Sequence, residues 1–151
     1  MAVTLRKIEV RDEARWRELW DKYLQFYKSD LPEGVTRHTW TRIMDPQSCV
    51  NAIVAEQQED GVIGIAHYLT HESTWTQTPV CYLEDLFVEP DKRARGVGQL
   101  LIDWLVAQMK VQGWSTLYWH TSENNYRARG LYDKYSPHSG FVRYVVKNQQ
   151  M

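Results

Sequence analysis

Tyr82-Leu-Glu-Asp-Leu-Phe-Val-Glu-Pro-Asp-Lys-Arg-Ala-Arg-Gly-Val-Gly98 is the stretch that decides the fold. Val80 to Val88 is rich in β-branched, aromatic and aliphatic residues, and Pro90 bounds it, which is the pattern of a buried strand. Past the loop the apolar residues change period. Val97, Leu100, Leu101, Trp104 and Leu105 share one helical face. The segment therefore reads as strand, short polar loop and glycine-rich helix entry. The loop Arg93 to Gly98 gathers the orphan N–H groups of a first helical turn, where the helix dipole adds partial positive charge. Such a place suits a pyrophosphate. Gly96 and Gly98 carry no side chain to hold a ligand off the backbone, although glycines at such a junction also serve plain turn chemistry. There is no Gly-Lys-Ser/Thr ending, so this is not a nucleoside-triphosphate P-loop. Gly96-Val-Gly98-Gln-Leu-Leu101 lacks the third glycine of the dinucleotide fingerprint.

Outward from that segment, the patterns place the other elements. Val3 to Val10 alternates as a strand, and Asp12 opens a helix with the face Trp16, Leu19, Trp20, Tyr23, Leu24 and Tyr27. Leu31-Pro-Glu-Gly34 is a break, and Thr36 to Met44 is a short helix ending before Pro46. Val50 to Gln57 and Val62 to Thr70 are strands joined by Glu59-Asp60-Gly61, with Gly61 placed for a positive φ. Ser73 to Pro79 is a polar loop. Gly113 stops the helix that follows the glycine loop. Thr116 to His120 is a strand, Asn124 or Asn125 starts a helix to about Tyr135, and Phe141 to Lys147 is a last strand. Antiparallel strands first, then strand–helix–strand units, give one α+β domain with no internal repeat or linker.

Composition narrows the function classes. The 151 residues fit one domain, and a hydrophobic share of 43% with 25% charged residues is ordinary for a soluble globular chain. A net charge of −1 gives no basic footprint for nucleic acid, so no nucleic-acid partner is expected. No apolar run approaches a membrane span, and the N-terminus lacks the apolar core of a signal peptide, so the expectation is a cytoplasmic protein without membrane partners. Cys49 and Cys81 have no metal spacing and read as reduced thiols. His67 and His71 lie four residues apart on a strand, about 13 Å, too far to share an ion, so no metal is expected.

The Arg-x-x-Gly-x-Gly pattern of Arg93, Gly96 and Gly98 resembles the acyl-coenzyme A loop of the GNAT superfamily of N-acetyltransferases. Two further elements fall in the family's order. Asn125-Tyr-Arg-Ala128-Arg-Gly-Leu131-Tyr132 is similar to the family's Asn-x-x-Ala-x-x-Leu/Phe-Tyr, and Gly140-Phe141 is similar to the glycine and aromatic that open its last strand. Tyr-Leu-Glu-Asp-Leu-Phe-Val, the Trp20/Tyr23/Phe26/Tyr27 cluster and the His71–Trp75 segment resemble the diamine and fungal histone/polyamine acetyltransferase branch. The resemblance spans nearly the whole chain. It implies a central, mixed, mostly antiparallel sheet of about six to seven strands with a splayed parallel pair, flanked by about four helices. It also implies acetyl-CoA as cosubstrate, coenzyme A as product, and a homodimer.

The resemblance assigns roles residue by residue. Arg93, Ala94, Arg95, Gly96, Val97, Gly98 and Gln99 would hold the pyrophosphate, the backbone of Leu86, Phe87 and Val88 the pantetheine arm, and Asn125 its amides. Tyr132 would donate a proton to the departing thiolate. The residues themselves leave ordinary alternatives: Asn125 suits a helix cap, and Tyr132 lies in a helical stripe with Ala128, Leu131 and Tyr135 that suits a core. Glu84 and Asp85 are two acids inside an otherwise apolar strand, and period two sends their side chains to opposite faces. An amine near pKa 10.4 is almost wholly protonated at neutral pH, so acetylation needs a base. The resemblance makes Glu84 the base and Asp85 the amine binder; pairing with a basic neighbour or solvent exposure is the alternative. Tyr27, Asp30, Trp40, Tyr68, His71 and Trp75 are the candidates to frame a cationic acceptor, since aromatic faces and carboxylates attract ammonium groups. The expected activity is acetyl transfer to a primary amine by direct attack in a ternary complex, a polyamine first. A protein lysine or N-terminus, an amino acid or amine drug, or a non-catalytic coenzyme A-sensing module are the alternatives.

Overall fold

The computed structural model describes residues 2–148, without the side chains of Ala94 and Arg95. Strands β1 (Val3–Lys7), β2 (Val50–Gln57), β3 (Gly61–His71), β4 (Val80–Val88) and β5 (Thr116–Trp119) are interleaved with helices α1 (Glu13–Phe26), α2 (Glu33–Met44), α3 (Val97–Gln112) and α4 (Tyr126–Tyr132). Short 3-10 turns at Val10–Asp12 and Pro90–Arg95 lead into α1 and α3. The chain divides after His120 into two units.

The first unit holds the sheet, in the order β1-β2-β3-β4-β5. The first four strands pair antiparallel and β4 pairs parallel with β5, with α3 as the crossover. β3 is buried along most of its length, as expected of a central strand covered on both faces, and its near-continuous apolar run follows from that. On one face Trp16, Leu19 and Trp20 of α1 pack with Val54, Val62, Ile65 and Phe87, and Trp40 and Ile43 of α2 close over them. On the other face α3 packs on β3 at Gly64, where an added Cβ would lie 3.3 Å from both Val97 and Leu101. Arg6 of β1 donates to both Asp12 carboxylate oxygens at 2.8 and 2.9 Å and also reaches Glu56. That contact fixes the entry to α1, because the buried Asp12 carboxylate also accepts from the Glu9 N–H at 2.7 Å.

The turn glycines behave as the sequence required. Gly61 has φ +70° and Gly113, which caps α3, has φ +76°. α2 begins earlier than expected, at Glu33, because Pro32 takes the extended N-cap conformation and the chain turns helical directly after it.

The second unit holds α4 and the residues after it. Here the sheet expectation needs correction: five strands form among the described residues, not six to seven, and Phe141 to Lys147 is not a strand. Phe141, Tyr144 and Val146 are each at least 90% exposed. β-Propensity expresses fit to a pleated, half-buried surface, and among the described residues of this unit the only regular element is a helix. Among the described residues no helix is long and apolar enough to cross a membrane.

Candidate active site

β4 carries both acids and is also where the sheet loses regularity. Along the β3–β4 ladder Leu69 faces Tyr82 and Tyr68 faces Leu83, but His67 faces Asp85. Glu84 is the extra residue of a β-bulge. The alternation that would send Glu84 and Asp85 to opposite faces is therefore interrupted at that pair. Asp85 sits across from His67 on the α1 face, whereas Tyr68 packs on Trp104 and Trp114 at the α3 face. The parallel β4–β5 ladder runs from Val80 and Thr116 to Leu83 and Trp119, and ends at the same bulge. Glu84 to Val88 continue past it.

The Asp85 carboxylate is held from within the core. Trp16 Nε1 donates to His67 Nε2 at 2.8 Å, and His67 Nδ1 lies 2.9 Å from Asp85 Oδ2. Tyr23 lies beside the same carboxylate; burial first, then Asp85 and Tyr27, push its phenol far above the usual range. The Asp85 side chain keeps 17% exposure, so it borders solvent. Glu84 is exposed. Its charge acts on Tyr118, whose phenol is raised by burial first, then by Cys81 and Glu84. Tyr118 stacks on Tyr82 with centroids 4.9 Å apart and lies 2.8 Å from His71 Nε2. The Tyr82 hydroxyl is 3.1 Å from His120 Nδ1.

The loop after β4 forms the helix entry that the glycines announced. Gly96 has φ +76° and caps α3. The helical ladder begins with the Leu100 N–H to the Gly96 carbonyl at 3.1 Å, so the N–H groups of residues 97–99 lie ahead of it. No acid occupies the first turn of α3, and a Cβ at Gly96 would meet nothing within 4 Å. An open, positively polarised helix end free of acid fits the diphosphate of coenzyme A. Arg93 turns inward: its guanidinium lies 5.0 Å from the Phe87 ring centre and 5.7 Å from that of Phe26, and its Nε donates to the Val88 carbonyl at 2.9 Å. Glu89 anchors the start of the loop to α1, accepting from Arg15 at 2.7 Å and Lys22 at 2.5 Å. Burial alone would raise the Glu89 carboxyl, but those two cations outweigh it and hold the group below its ordinary value. The side chains of Ala94 and Arg95 lie outside the described residues.

The six residues read as an acceptor frame are not one cluster. Tyr27 is exposed with its ring 4.9 Å from Tyr23, on the Asp85 side. Asp30 is exposed beyond α1. Trp40 is partly buried and packs on Trp16 at 5.1 Å, against the core. Tyr68 faces α3, His71 meets Tyr118, and Trp75 is 93% exposed in the β3–β4 connection. In the second unit Asn125 caps α4, its Oδ1 accepting from the Ala128 N–H at 3.3 Å, and Tyr132 ends that helix, partly buried. Sequence reasoning placed Tyr23 only in the aromatic cluster of α1, weighed His67 only as a metal ligand, and missed Tyr82, Tyr118 and His120. The signal available for His67 was its place in an apolar strand, since a buried imidazole must find a partner.

Among the described residues no three His, Cys, Asp or Glu side chains are placed to hold a metal ion. Cys49 and Cys81 are free thiols.

Comparison with known proteins converges on one class. The acetyltransferase (GNAT) family profile matches residues 13–136. The chain is 36% identical over 133 residues to the D-amino-acid N-acetyltransferase HPA3 of Saccharomyces cerevisiae, covering 87% of this chain and 83% of that protein. It is 28% identical over 148 residues to the N-acetyltransferase YhfO of Bacillus subtilis, covering 95% and 97%. Among solved structures, the aminoglycoside acetyltransferase AAC(6')-Iy, in complex with a bisubstrate analogue of coenzyme A, matches with a TM-score of 0.82 at 19% identity, covering 98% of this chain and 99% of that one. The chain belongs to the GNAT family and is an N-acetyltransferase of that kind. Enzymes of this family take their acetyl group from acetyl-CoA.

Proposed function

We propose that the chain moves the acetyl group of acetyl-CoA directly onto the primary amine of a small molecule bound against the β4 bulge. The observation that carries this is the coincidence at Glu84: the bulge, the end of the β4–β5 ladder and two carboxylates occupy one place. The N–H groups of residues 97–99 and the Arg93–Gly96 turn bind the diphosphate, and the β4 backbone beyond Glu84 binds the pantetheine arm as an added strand would. Asp85 holds the acceptor ammonium. Glu84, exposed at the bulge, takes its proton directly or through water. The free amine attacks the thioester carbonyl, its nitrogen gives up a second proton to solvent, and the tetrahedral intermediate collapses as the C–S bond breaks and the thiolate leaves. Asn125 binds pantetheine amides and Tyr132 protonates the thiolate, on the match to the family motif.

The α-amino group of a free amino acid is the acceptor we place first, supported by the name of the yeast relative at 36% identity. A polyamine is the second reading. The flank of Tyr23 and Tyr27 around a carboxylate supports it, since both kinds of group attract an alkylammonium. A homodimer is also proposed; light scattering should return twice the 17.9 kDa chain mass.

Thiol release from acetyl-CoA across D- and L-amino acids, spermidine, spermine and a lysine peptide tests the reading. Turnover on small amines supports it, and saturable acetyl-CoA binding with turnover on none replaces it with a sensing module. Tyr132→Phe should lose turnover and keep acetyl-CoA binding. Glu84→Gln should move the pH profile, and an unaltered profile removes Glu84 as base.

A further inference from the structure

We propose that His67 is a positioning residue for the acceptor-binding carboxylate, held in a single tautomer by Trp16 so that its Nδ1–H fixes Asp85. This rests on the reading above, in which Asp85 holds the acceptor ammonium.

The tautomer follows from hydrogen-bond inventory. An indole N–H only donates. Trp16 Nε1 lies 2.8 Å from His67 Nε2, so that nitrogen accepts and carries no proton. The neutral ring then has its proton on Nδ1, which donates to Asp85 Oδ2 at 2.9 Å. The ring cannot turn over without placing a C–H against the indole N–H. It also packs against both Trp16 and Trp20, with centroids 5.9 and 5.0 Å away. His67 is 3% exposed and Trp16 fully buried, so the Trp16–His67 hydrogen bond is shielded from water.

The bulge connects this relay to the substrate side. Continuing the ladder from Tyr68 and Leu83 without a bulge would set Glu84 opposite His67. The inserted residue instead puts Asp85 there and leaves Glu84 exposed. The relay thus begins in α1, passes through β3 and ends on β4 at the edge of solvent. Its consequence is a carboxylate whose Oδ2 is engaged from the core, so that the rest of the group is presented to the ammonium in a fixed orientation. Catalytic effects of about 100-fold follow from misplacement on the order of 1 Å. The groups that face the relay are Asp85 from β4 and Tyr23 from α1, with Tyr27 beside Tyr23.

The test compares His67→Asn, whose amide nitrogen falls where Nδ1 was, with His67→Gln and His67→Phe, which supply no donor there. Acetyl-CoA titration and thermal melting establish that each variant is folded. The expected result is a fall of roughly 10- to 100-fold in kcat/KM for the amine in His67→Gln and His67→Phe. KM for acetyl-CoA stays unchanged, and His67→Asn recovers most of the loss. If His67→Phe does not fold, His67→Gln against His67→Asn carries the same comparison. An amine kcat/KM that is unchanged in the donor-free variants, or lost equally in His67→Asn, overturns the proposal. Those outcomes are read against an active wild type; a wild type inactive on every amine overturns the functional reading itself.

Discussion

Gly64→Val should loosen both the fold and the grip on acetyl-CoA. Gly64 sits on β3 beneath the start of α3. A Cβ there would come within 3.3 Å of Val97 Cγ1 and Leu101 Cδ1, and 3.4 Å of the Phe87 carbonyl oxygen. Carbon pairs prefer about 3.5–4.0 Å, so alanine needs the neighbours to yield by a few tenths of an ångström. Alanine also gains roughly 0.5–1 kcal/mol over glycine in a strand, and Gly64→Ala should lie within about 1 kcal/mol of wild type. Valine adds two methyl groups to the same gap, one side of which is backbone. Overpacking of that kind costs about 1–3 kcal/mol. For a domain of this size, about 2 kcal/mol is a fall in Tm of roughly 4–8 °C. Val97 belongs to the first turn of α3, so the displaced atoms are those of the proposed diphosphate cup. A loss there of about 1.4 kcal/mol is a tenfold weaker Kd. Thermal melting and calorimetric titration of wild type, Gly64→Ala and Gly64→Val read both effects. A valine variant with wild-type Tm and wild-type Kd would refute the close packing of α3 on β3 and its link to the cup.

Two further outcomes follow from the titrating groups. Hydrogen bonds from Arg6 hold the Asp12 carboxyl below its ordinary value against the opposing effect of burial. A group whose folded pKa is depressed stabilises above its unfolded value, about 3.9, and that stability is lost as pH falls through the folded value. Asp12→Asn should cost roughly 2 kcal/mol at pH 7 and show a flatter loss of Tm between about pH 5 and 2; an acid limb identical to wild type would count against the Arg6–Asp12 contact. Burial pushes the Cys81 thiol up to about 12, whereas Cys49 is exposed. Alkylation of the folded protein at pH 8 should therefore label Cys49 and spare Cys81 until denaturant is added, and equal labelling of both would show that β4 is not buried at that point.

What the sequence revealed and what it hid divide along a physical line. Local patterns were legible. Val80 to Val88 is a strand to the residue, and Gly61 as a turn and Gly113 as a helix stop both take the positive φ that glycine admits most readily. Register was not legible. Strand alternation alone sends Glu84 and Asp85 to opposite faces, and only the pairing of Tyr68 with Leu83 and His67 with Asp85 reveals the inserted residue. Partners distant in sequence were hidden for the same reason: Trp16, His67 and Asp85 meet only once α1, β3 and β4 have been brought together. Arg93 shows how a motif residue takes an unexpected role, since its guanidinium braces the loop against Phe26 and Phe87. Phe141 to Lys147 shows the limit of propensity. Its apolar and aromatic residues read as a strand, yet a strand exists only through its neighbours.

Calorimetric titration of acetyl-CoA into wild type and Gly96→Val addresses the helix-entry cup most directly. Among the described residues, Gly96's two chain neighbours aside, nothing lies within 4 Å of an added Cβ, so a valine side chain would project into the cup and would also strain the turn at its φ of +76°. Saturable one-to-one binding by wild type and loss of that heat in a folded Gly96→Val is the predicted result. Absence of saturable heat from wild type, or undiminished binding by the variant, would contradict the account.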